Sequence, residues 1–141
     1  MIKVNKLTDY SILILNHFAT QNEDTVFNAS QLAQALTLPS PTVSKILKIL
    51  LKNQFVTSHR GAQGGYQLAK PLKSISIAAI IEAMEGRLAV TQCNVGTGLC
   101  THEQGCQMRS PWQKINHMVL ELLSQVSLAD MAGQSKNKES A

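Results

Sequence analysis

Apolar residues recur three and four positions apart in three segments before residue 90. Residues at this spacing lie on one side of an α-helix, so each set predicts a helix with one buried face. The sets are Tyr10, Leu13, Ile14 and Phe18; Val43, Ile46, Leu47 and Leu50; and Ile77, Ile80, Ile81 and Met84. With 141 residues, the chain is long enough for one well-cored domain with an extension.

Capping residues predict where the helices begin. Thr8 is predicted to cap the first helix, with Asp9 in the first turn, where the helix dipole favours an anion. Asn28 and Gln31 have capping-box spacing and predict a short second helix from Ser30 to Leu36. The remaining predicted boundaries are Ser40-Pro41 at the start of the third helix, Ser76 at the start of the fourth, and Gly86 at its end.

Two short strand-like runs follow the third helix, Phe55 to His59 and Tyr66 to Ala69. Residues 60–65 between them include three glycines, which tolerate the positive φ of a tight hairpin. Two helices joined by a tight turn and followed by a hairpin are typical of a winged helix. We therefore predict a mainly α fold, in which residues 1–86 form a winged helix-turn-helix domain with a small β-hairpin wing.

A long amphipathic helix is predicted from Ser110-Pro111 onward. Its apolar stripe consists of Trp112, Ile115, Val119, Leu122, Leu123 and Val126. A loop of more than 20 residues precedes this helix, so a second copy of the chain is the expected cover for the stripe. We predict a cysteine loop over 87–109, a dimerisation helix over 110–131 and a disordered tail over 132–141. Ser127 and Asp130 have capping-box spacing for a final turn.

Positive charge is concentrated in the first half of the chain. Residues 1–75 carry eight lysines and arginines against three acidic residues, a balance of +5, whereas residues 76–141 carry five against six, a balance of −1. A basic half indicates a polyanion such as double-stranded DNA, although a modest lysine excess also occurs on ordinary solvated surfaces. No apolar run reaches the roughly 20 residues of a membrane span and no signal-peptide pattern is present, so a cytoplasmic location without a membrane partner is expected.

The third helix carries the residue types that contact DNA in a helix-turn-helix. Small polar residues at its start are placed to meet base edges, and the lysines along its exposed face are placed to meet phosphates. The candidate DNA-binding residues are Ser40, Thr42, Ser44, Lys45 and Lys48 on the helix, with Arg60 and Gln63 on the wing. The alternative is an amphipathic helix with an ordinary solvated side, beside a wing whose arginine only solvates a turn.

All three cysteines lie in one glycine-rich loop, at Cys93, Cys100 and Cys106. Thiolates are soft ligands for iron or zinc, and three of them need a fourth partner. An odd number of cysteines in a reducing compartment favours metal binding or redox chemistry over a disulfide framework. No nucleophile-and-base spacing is present, and no phosphate-binding glycine loop precedes a helix, so an enzyme is not expected.

Four motifs occur together in this sequence. They are Leu7-Thr8-Asp9-Tyr10, Pro41-Thr-Val-Ser-Lys45, the wing His59-Arg-Gly-Ala-Gln-Gly-Gly-Tyr66, and the three-cysteine loop. Together they resemble the winged-helix regulator family that contains the iron–sulfur regulator IscR and the nitric-oxide sensor NsrR. The likeness extends to about Met131. The combination of the Pro41–Lys45 motif, this wing and the ending Ser-Leu-Ala-Asp-Met-Ala at residues 127–132 is most similar to the branch that regulates the SUF iron–sulfur assembly system.

The resemblance implies a homodimer that binds a palindromic operator and holds one iron–sulfur cluster per subunit, of the 2Fe–2S or 4Fe–4S type. The implied ligands are the three cysteines. In the IscR type a histidine three positions after the last cysteine completes the site, but Arg109 stands there in this chain. In the NsrR type the partner subunit supplies the aspartate of the Thr-Asp-Tyr motif, which corresponds to Asp9. His102, within the loop, is the rival fourth ligand. If it does not bind metal, it is an exposed loop histidine.

The function implied is a cluster-sensing transcriptional repressor of SUF assembly genes, which releases its operator when the cluster is lost. One alternative is a nitric-oxide-sensing repressor of the NsrR type. Another is a cluster-independent regulator whose cysteines bind zinc or act as thiol switches. A cluster carrier that does not bind DNA is a further possibility, which the wing disfavours.

Overall fold

The computed structural model describes residues 3–22 and 24–139. Seven helices and one hairpin follow each other along this part of the chain. The helices are α1 (Lys6–Thr20), α2 (Ala29–Leu36), α3 (Ser40–Lys52), α4 (Ile77–Glu85), α5 (Gln92–Val95), α6 (Arg109–Gln125) and α7 (Leu128–Glu139), and the strands are β1 (Val56–His59) and β2 (Gly65–Leu68). A turn of 3-10 helix at Leu72–Ser74 connects β2 to α4. The predicted mainly α, winged-helix class is confirmed.

Two of the predicted helix starts have the expected cap geometry. Asn28 Oδ1 accepts from the backbone N–H of Gln31 at 2.8 Å, and Gln31 Oε1 accepts from the N–H of Asn28 at 2.9 Å, so the capping box of α2 is complete. Ser76 Oγ accepts from the N–H of Ala79 at 3.1 Å at the start of α4. Gly86 ends that helix with a φ of +87°, a value that glycine adopts without strain.

The predicted start of α1 at Thr8 is wrong. The helix begins at Lys6, and Asn5 is its N-cap, because Asn5 Oδ1 accepts from the backbone N–H of Thr8 at 2.9 Å. Asparagine is at least as good a cap as threonine, and it stands one turn earlier. Thr8 is instead buried inside the first turn, while Asp9 lies in that turn as predicted.

The wing is an antiparallel hairpin in which Val56 pairs with Leu68 and His59 with Gly65. A third segment adds to its edge, since Phe27 and Tyr66 exchange backbone hydrogen bonds of 2.9 and 2.7 Å. This pairing explains Gly65, where a Cβ would lie 2.5 Å from the carbonyl oxygen of Phe27. The hairpin is therefore fixed to the helical part of the domain by the segment between α1 and α2.

The core lies between α1, α2, α3, α4 and the hairpin. The predicted apolar faces of α3 and α4 point into it. Its fully buried large side chains are Ile14, Leu15, Phe18, Leu32, Val43, Ile46, Leu47, Leu50, Val56, Ile75, Ile80 and Leu128. The last of these belongs to α7, so the chain returns to the first domain after α6.

This return is made by backbone pairing. Ile77 N donates to Val126 O and Leu128 N donates to Ile75 O, each at 2.9 Å. The predicted capping box is present, with Ser127 N donating to a carboxylate oxygen of Asp130 at 2.9 Å and Asp130 N to Ser127 Oγ at 3.1 Å.

The structure continues α7 to Glu139, where the sequence predicted a disordered tail over 132–141. The cap and the burial of Leu128 give this helix a start and an anchor that the polar composition of the tail does not reveal. The last two positions of that prediction lie outside the described residues. Within those residues, no helix is long and apolar enough to cross a membrane.

Candidate functional site

The turn between α2 and α3 sets the direction of α3. Thr37 ends α2 in the left-handed region with a φ of +55°, and its backbone N–H donates to Ala33 O. Pro41 then occupies the first turn of α3, where its missing N–H costs no hydrogen bond. The apolar side of α3, formed by Val43, Ile46, Leu47 and Leu50, is 0% exposed. The opposite side is consequently held on the molecular surface.

The predicted DNA-contacting residues of α3 lie on this outward side. Ser40, Lys45 and Lys48 are exposed, while Thr42 and Ser44 are half-buried at the N-terminal end. Within residues 3–22 and 24–139, no ion pair neutralises either lysine. The charged side of α3 is thus available to a polyanion.

The tip of the wing carries the two other predicted contacts, Arg60 and Gln63, both exposed. His59 and Gln67 face each other across the hairpin, with Nε2 and Oε1 2.8 Å apart. Gln67 Nε2 also donates to a carboxylate oxygen of Asp24 at 3.4 Å. These polar contacts stabilise the strands next to the tip. Arg60 makes no ion pair within the described part of the chain.

The cysteine loop contains one short helix that the sequence pattern did not reveal. This helix, α5, carries Cys93, whose Sγ lies 3.1 Å from Thr91 Oγ1. Asn94 Nδ2 donates to the same hydroxyl at 2.7 Å. Cys93 and Cys100 are half-buried and Cys106 is exposed, and all three thiols are free.

The described single chain does not bring the three sulfurs together. Among its described residues, no group of three or more His, Cys, Asp or Glu side chains is arranged to hold a metal ion. Cys93 lines a cavity with Asn116 and His117, whereas Cys100 lines a separate cavity with Glu103. The donors fit an iron–sulfur cluster by type, since thiolates are its usual ligands, and binding of a metal is commonly coupled to the folding of its loop.

The two predicted fourth ligands are both accessible. Asp9 is exposed in the first turn of α1, and His102 is exposed within the loop. Arg109, at the position of the IscR-type histidine, is the first residue of α6. It pairs with Glu103 through Nη2 and Oε1, 3.0 Å apart.

Glu103 is a site residue that the sequence analysis missed. It is only 9% exposed, and its other oxygen, Oε2, accepts from the backbone N–H of Gly98. The available signal was an acidic residue midway between Cys100 and Cys106, three positions from each. Asn116 was also missed; it is buried on α6 and its Oδ1 accepts from the N–H of Val90 at 2.8 Å.

The predicted stripe of α6 is divided between two environments. Leu123 packs against the core and Val119 is half-buried, so these two face the chain itself. The exposed large apolar residues of this helix and its end are Trp112, Ile115, Met118, Leu122 and Val126. Leu122 is 64% exposed, and no hydrophobic residue of α6 is buried. This exposed set is called the α6 face below.

A winged helix-turn-helix, a cysteine loop and an uncovered helix face together define a class of DNA-binding regulators. Residues 4–134 match the model of the Rrf2 family, described as an iron-dependent transcriptional regulator. The chain therefore belongs to the Rrf2 family of transcriptional regulators.

Individual relatives agree with this assignment. The chain is 26% identical over 139 residues to the HTH-type transcriptional regulator NsrR of Oceanobacillus iheyensis, covering 98% of this chain and 92% of that protein. The solved structure of T. potens IscR is 27% identical, with a TM-score of 0.73 and coverage of 99% of this chain and 93% of that one.

A third relative supports the fold alone. The structure of CymR, the global cysteine regulator of B. subtilis, has a TM-score of 0.73 at 23% identity and covers 95% of this chain and 98% of that one. Regulators of this fold bind DNA and commonly act as dimers. The chain is a transcriptional regulator and not an enzyme.

Proposed function

We propose that this protein is an iron–sulfur-cluster-sensing repressor that binds a palindromic operator as a homodimer and controls SUF cluster-assembly genes. The observation that carries the proposal is the placement of all three cysteines in one loop between the winged helix and the α6 face. The similarity to IscR and NsrR supports a metal-dependent signal. The SUF assignment rests on the combination of the Pro41–Lys45 motif, the wing sequence of residues 59–66 and the ending at residues 127–132.

DNA binding is assigned to the outward side of α3 and the tip of the wing. Ser40, Thr42 and Ser44 lie at the N-terminal end of α3, the end that meets base edges in helix-turn-helix proteins. Lys45 and Lys48 follow on the exposed side and contact phosphates. The exposed Arg60 and Gln63 add contacts from the wing, where a cation favours a narrow minor groove.

Dimerisation is assigned to the α6 face. Five large apolar side chains in and just after one helix form an exposed strip that the described part of the chain does not cover. A second copy of the chain offers the same strip, as a two-fold symmetric contact requires. Pairing through α6 would hold two recognition helices at the spacing of successive major grooves, about 34 Å.

Cys93, Cys100 and Cys106 would hold the cluster, with Asp9 of the partner subunit as the fourth ligand and His102 as its rival. Asp9 is exposed and makes no ion pair with described residues, so its carboxylate is free to reach another subunit. Arg109 cannot replace a histidine ligand, because a guanidinium has no lone pair to donate. An oxygen ligand is the hardest donor of this set and would be the first to be lost.

This arrangement would connect the cluster to DNA binding. Asp9 lies on α1, which packs against α3, so the fourth ligand would join the partner's cysteine loop to the DNA-binding domain. Loss of the cluster would release that connection, change the spacing of the two recognition helices and free the operator. Oxidation or iron shortage would then switch on the assembly genes.

The test is to purify the protein anaerobically, reconstitute it with iron and sulfide, and compare its operator affinity with that of the stripped protein. A bound cluster is measured by visible absorbance and by iron and sulfide analysis. We expect the cluster-loaded form to bind at least tenfold more tightly. Equal affinities of the two forms would refute cluster sensing, whatever the iron content.

The fourth ligand is tested by Asp9→Asn against His102→Ala. Both residues are exposed, so neither change should unfold the chain. We expect Asp9→Asn to lose its iron to a chelator faster than wild type, and His102→Ala to lose it at the wild-type rate. The reverse result would assign the ligand to His102.

Nitric-oxide sensing is a second candidate, favoured by Asp9 at the position of the NsrR-type ligand and by the NsrR relative. Operator release is measured after nitric oxide alone, and separately after oxygen or chelation. Release by nitric oxide with retention under the other two treatments would favour this candidate.

A cluster-independent regulator is the third candidate, favoured by the separation of the sulfurs in the single chain. Zinc or a thiol switch would then act at the cysteines. A colourless protein with equimolar zinc after anaerobic purification would support it.

A further inference from the structure

The cysteine loop, residues 87–109, is folded without an apolar core. Glu103 is its one buried residue, at 9% exposed, while the apolar Val95, Leu99 and Met108 are exposed. Burial of apolar surface therefore contributes little to the shape of this segment. Polar contacts must supply most of what holds it.

The Glu103 carboxylate joins parts of the loop that are far apart in sequence. Oε2 accepts from the N–H of Gly98, which lies between Cys93 and Cys100. Oε1 lies 3.0 Å from Nη2 of Arg109, three residues after Cys106 and at the first position of α6. One buried carboxylate thus links the segment before the second cysteine to the segment after the third.

Local turns support this linkage. Glu103 N donates to Cys100 O at 3.2 Å, and Arg109 N donates to Cys106 O at 3.4 Å. Each turn ends at one member of the ion pair and begins at a cysteine. The position of each cysteine backbone is therefore tied to the position of Glu103 or Arg109.

Arg109 also contributes to both cysteine cavities. It lines the cavity that holds Cys93 and the one that holds Cys100. A change at Arg109 would therefore reach the surroundings of both thiols. Because Arg109 begins α6, it also ties the loop to the helix that carries the α6 face.

We infer that Gly98, Glu103 and Arg109 form a clasp that holds the cysteine loop in a defined fold before any cluster is bound. Glu103 and Arg109 are positioning residues, which act on Cys100 and need not touch a cluster. The inference deepens the proposed function, because it assigns the clasp to the same cysteine site. The clasp itself is a property of the cluster-free protein.

The test measures thiol reactivity in reduced, metal-free protein. Wild type and variants are treated with iodoacetamide for increasing times, and the modification of each cysteine is followed by mass spectrometry. In wild type we expect the half-buried Cys100 to react more slowly than the exposed Cys106. Glu103→Gln should accelerate Cys100 about tenfold, since the charge that pairs with Arg109 is lost from a buried position, and change Cys106 less than twofold.

Variants of Arg109 distinguish a specific effect on the position of Cys100 from a general destabilisation of the fold. Arg109→Gln should accelerate Cys100 as Glu103→Gln does, and the double variant should add no further acceleration, because both changes remove one interaction. Arg109→Lys keeps the charge and should restore most of the protection. Glu121→Gln makes the same chemical change at an exposed position of α6 and should leave every rate at the wild-type value.

An unchanged Cys100 rate in Glu103→Gln would overturn the inference. Equal acceleration of all three cysteines, with a lower melting temperature, would overturn it too, because the effect would then be general destabilisation. Either result is obtained without a cluster. Failure of wild-type protein to take up iron and sulfide would instead defeat the proposed cluster sensing and leave the alkylation result standing.

Discussion

The described residues up to Ile81 and the segment from 82 to 127 are folded by different means. In the first region α1, α3, α4 and the wing share a closely packed core in which most large side chains are 2% exposed or less. In the second region no hydrophobic side chain is buried, and the buried residues there are Glu103 and Asn116. Yet both regions belong to one continuous family match, over residues 4–134.

The difference shows which part of the molecule is held by an apolar core. The winged-helix region buries enough apolar surface to fix its own geometry, as a DNA-binding scaffold needs. The second region leaves the core at α4 and returns to it at Leu128. Between these anchors the partly buried Met84, Leu88 and Leu123 contact the core, and the rest depends on polar contacts, a second subunit or a bound cluster. The proposed cluster sensing would require a part whose structure responds to its ligand, and a region held mainly by few contacts is suited to that role.

The largest contrast is expected for apolar truncations in the two regions. Leu47 is 0% exposed in α3, so Leu47→Ala should lower the free energy of unfolding by roughly 2–5 kcal/mol. Leu99 is exposed in the cysteine loop, and Leu99→Ala should change it by less than about 0.5 kcal/mol. Urea unfolding followed by circular dichroism measures both.

Should Leu47→Ala fail to fold, Ile46→Val provides a milder change in the same core, with an expected loss of about 0.5–1.5 kcal/mol. A loss for Leu99→Ala as large as that for Leu47→Ala would contradict the comparison. It would mean that the loop is buried in the assembled protein as deeply as α3 is in the single chain.

A charge on the α6 face should prevent subunit association while leaving the first region folded. Leu122→Lys removes a side chain whose burial is worth about 1.5–3 kcal/mol and places a cation in the contact, so the dimer Kd should rise at least tenfold. Sedimentation at several concentrations measures the shift. Ser124→Lys adds the same charge on the opposite side of α6, where it is exposed, and should leave association unchanged. Equal effects of the two substitutions would argue against this face.

Sequence reasoning succeeded best where local chemistry decides the structure. Asn28 with Gln31 and Ser127 with Asp130 each form a cap from two residues three positions apart, and Ser76 and Gly86 cap the two ends of α4. The structure has every one of these caps. The apolar faces of α3 and α4 were predictable for the same reason, because helical spacing identifies a buried side without any knowledge of the partner.

The rest depended on contacts between distant residues. Asn5 rather than Thr8 caps α1, and Glu85 of α4 accepts from the Asn5 N–H at 2.9 Å, a contact that no local pattern predicts. The anchoring of α7 through Leu128 required knowledge that the chain returns to Ile75. Glu103 was missed because an acidic residue in a polar loop is ordinarily solvated, and only its tertiary contacts make it a structural residue.

DNA affinity offers a smaller but specific contrast between the two regions. Lys48 is exposed on α3, so Lys48→Ala should weaken binding to every DNA sequence and lower the slope of log affinity against log salt by about one unit. Lys114→Ala removes the same charge from α6 and should leave that slope unchanged. Fluorescence anisotropy over a range of salt concentrations measures both. An unchanged slope for Lys48→Ala would mean that α3 does not face the duplex.

The smallest effect is expected at the point where the second region rejoins the first. Hydrogen bonds from Ser127, first from its backbone N–H and then from its hydroxyl, lower the pKa of Asp130 below its ordinary value of 3.8. A lowered folded-state pKa means that the ionised carboxylate stabilises α7 fully above pH 3.8, and that this contribution is lost as the pH falls through the folded-state pKa.

Asp130→Asn removes the charge but keeps an acceptor for the cap. Its melting temperature should therefore lie slightly below that of wild type at pH 7 and should converge with it as the pH falls below the lowered pKa of Asp130. Because Asp130 is exposed and Leu128 holds the start of the helix independently, the difference should stay small at every pH. A gap that widens on acidification would show that the carboxylate opposes the return of the chain to the core.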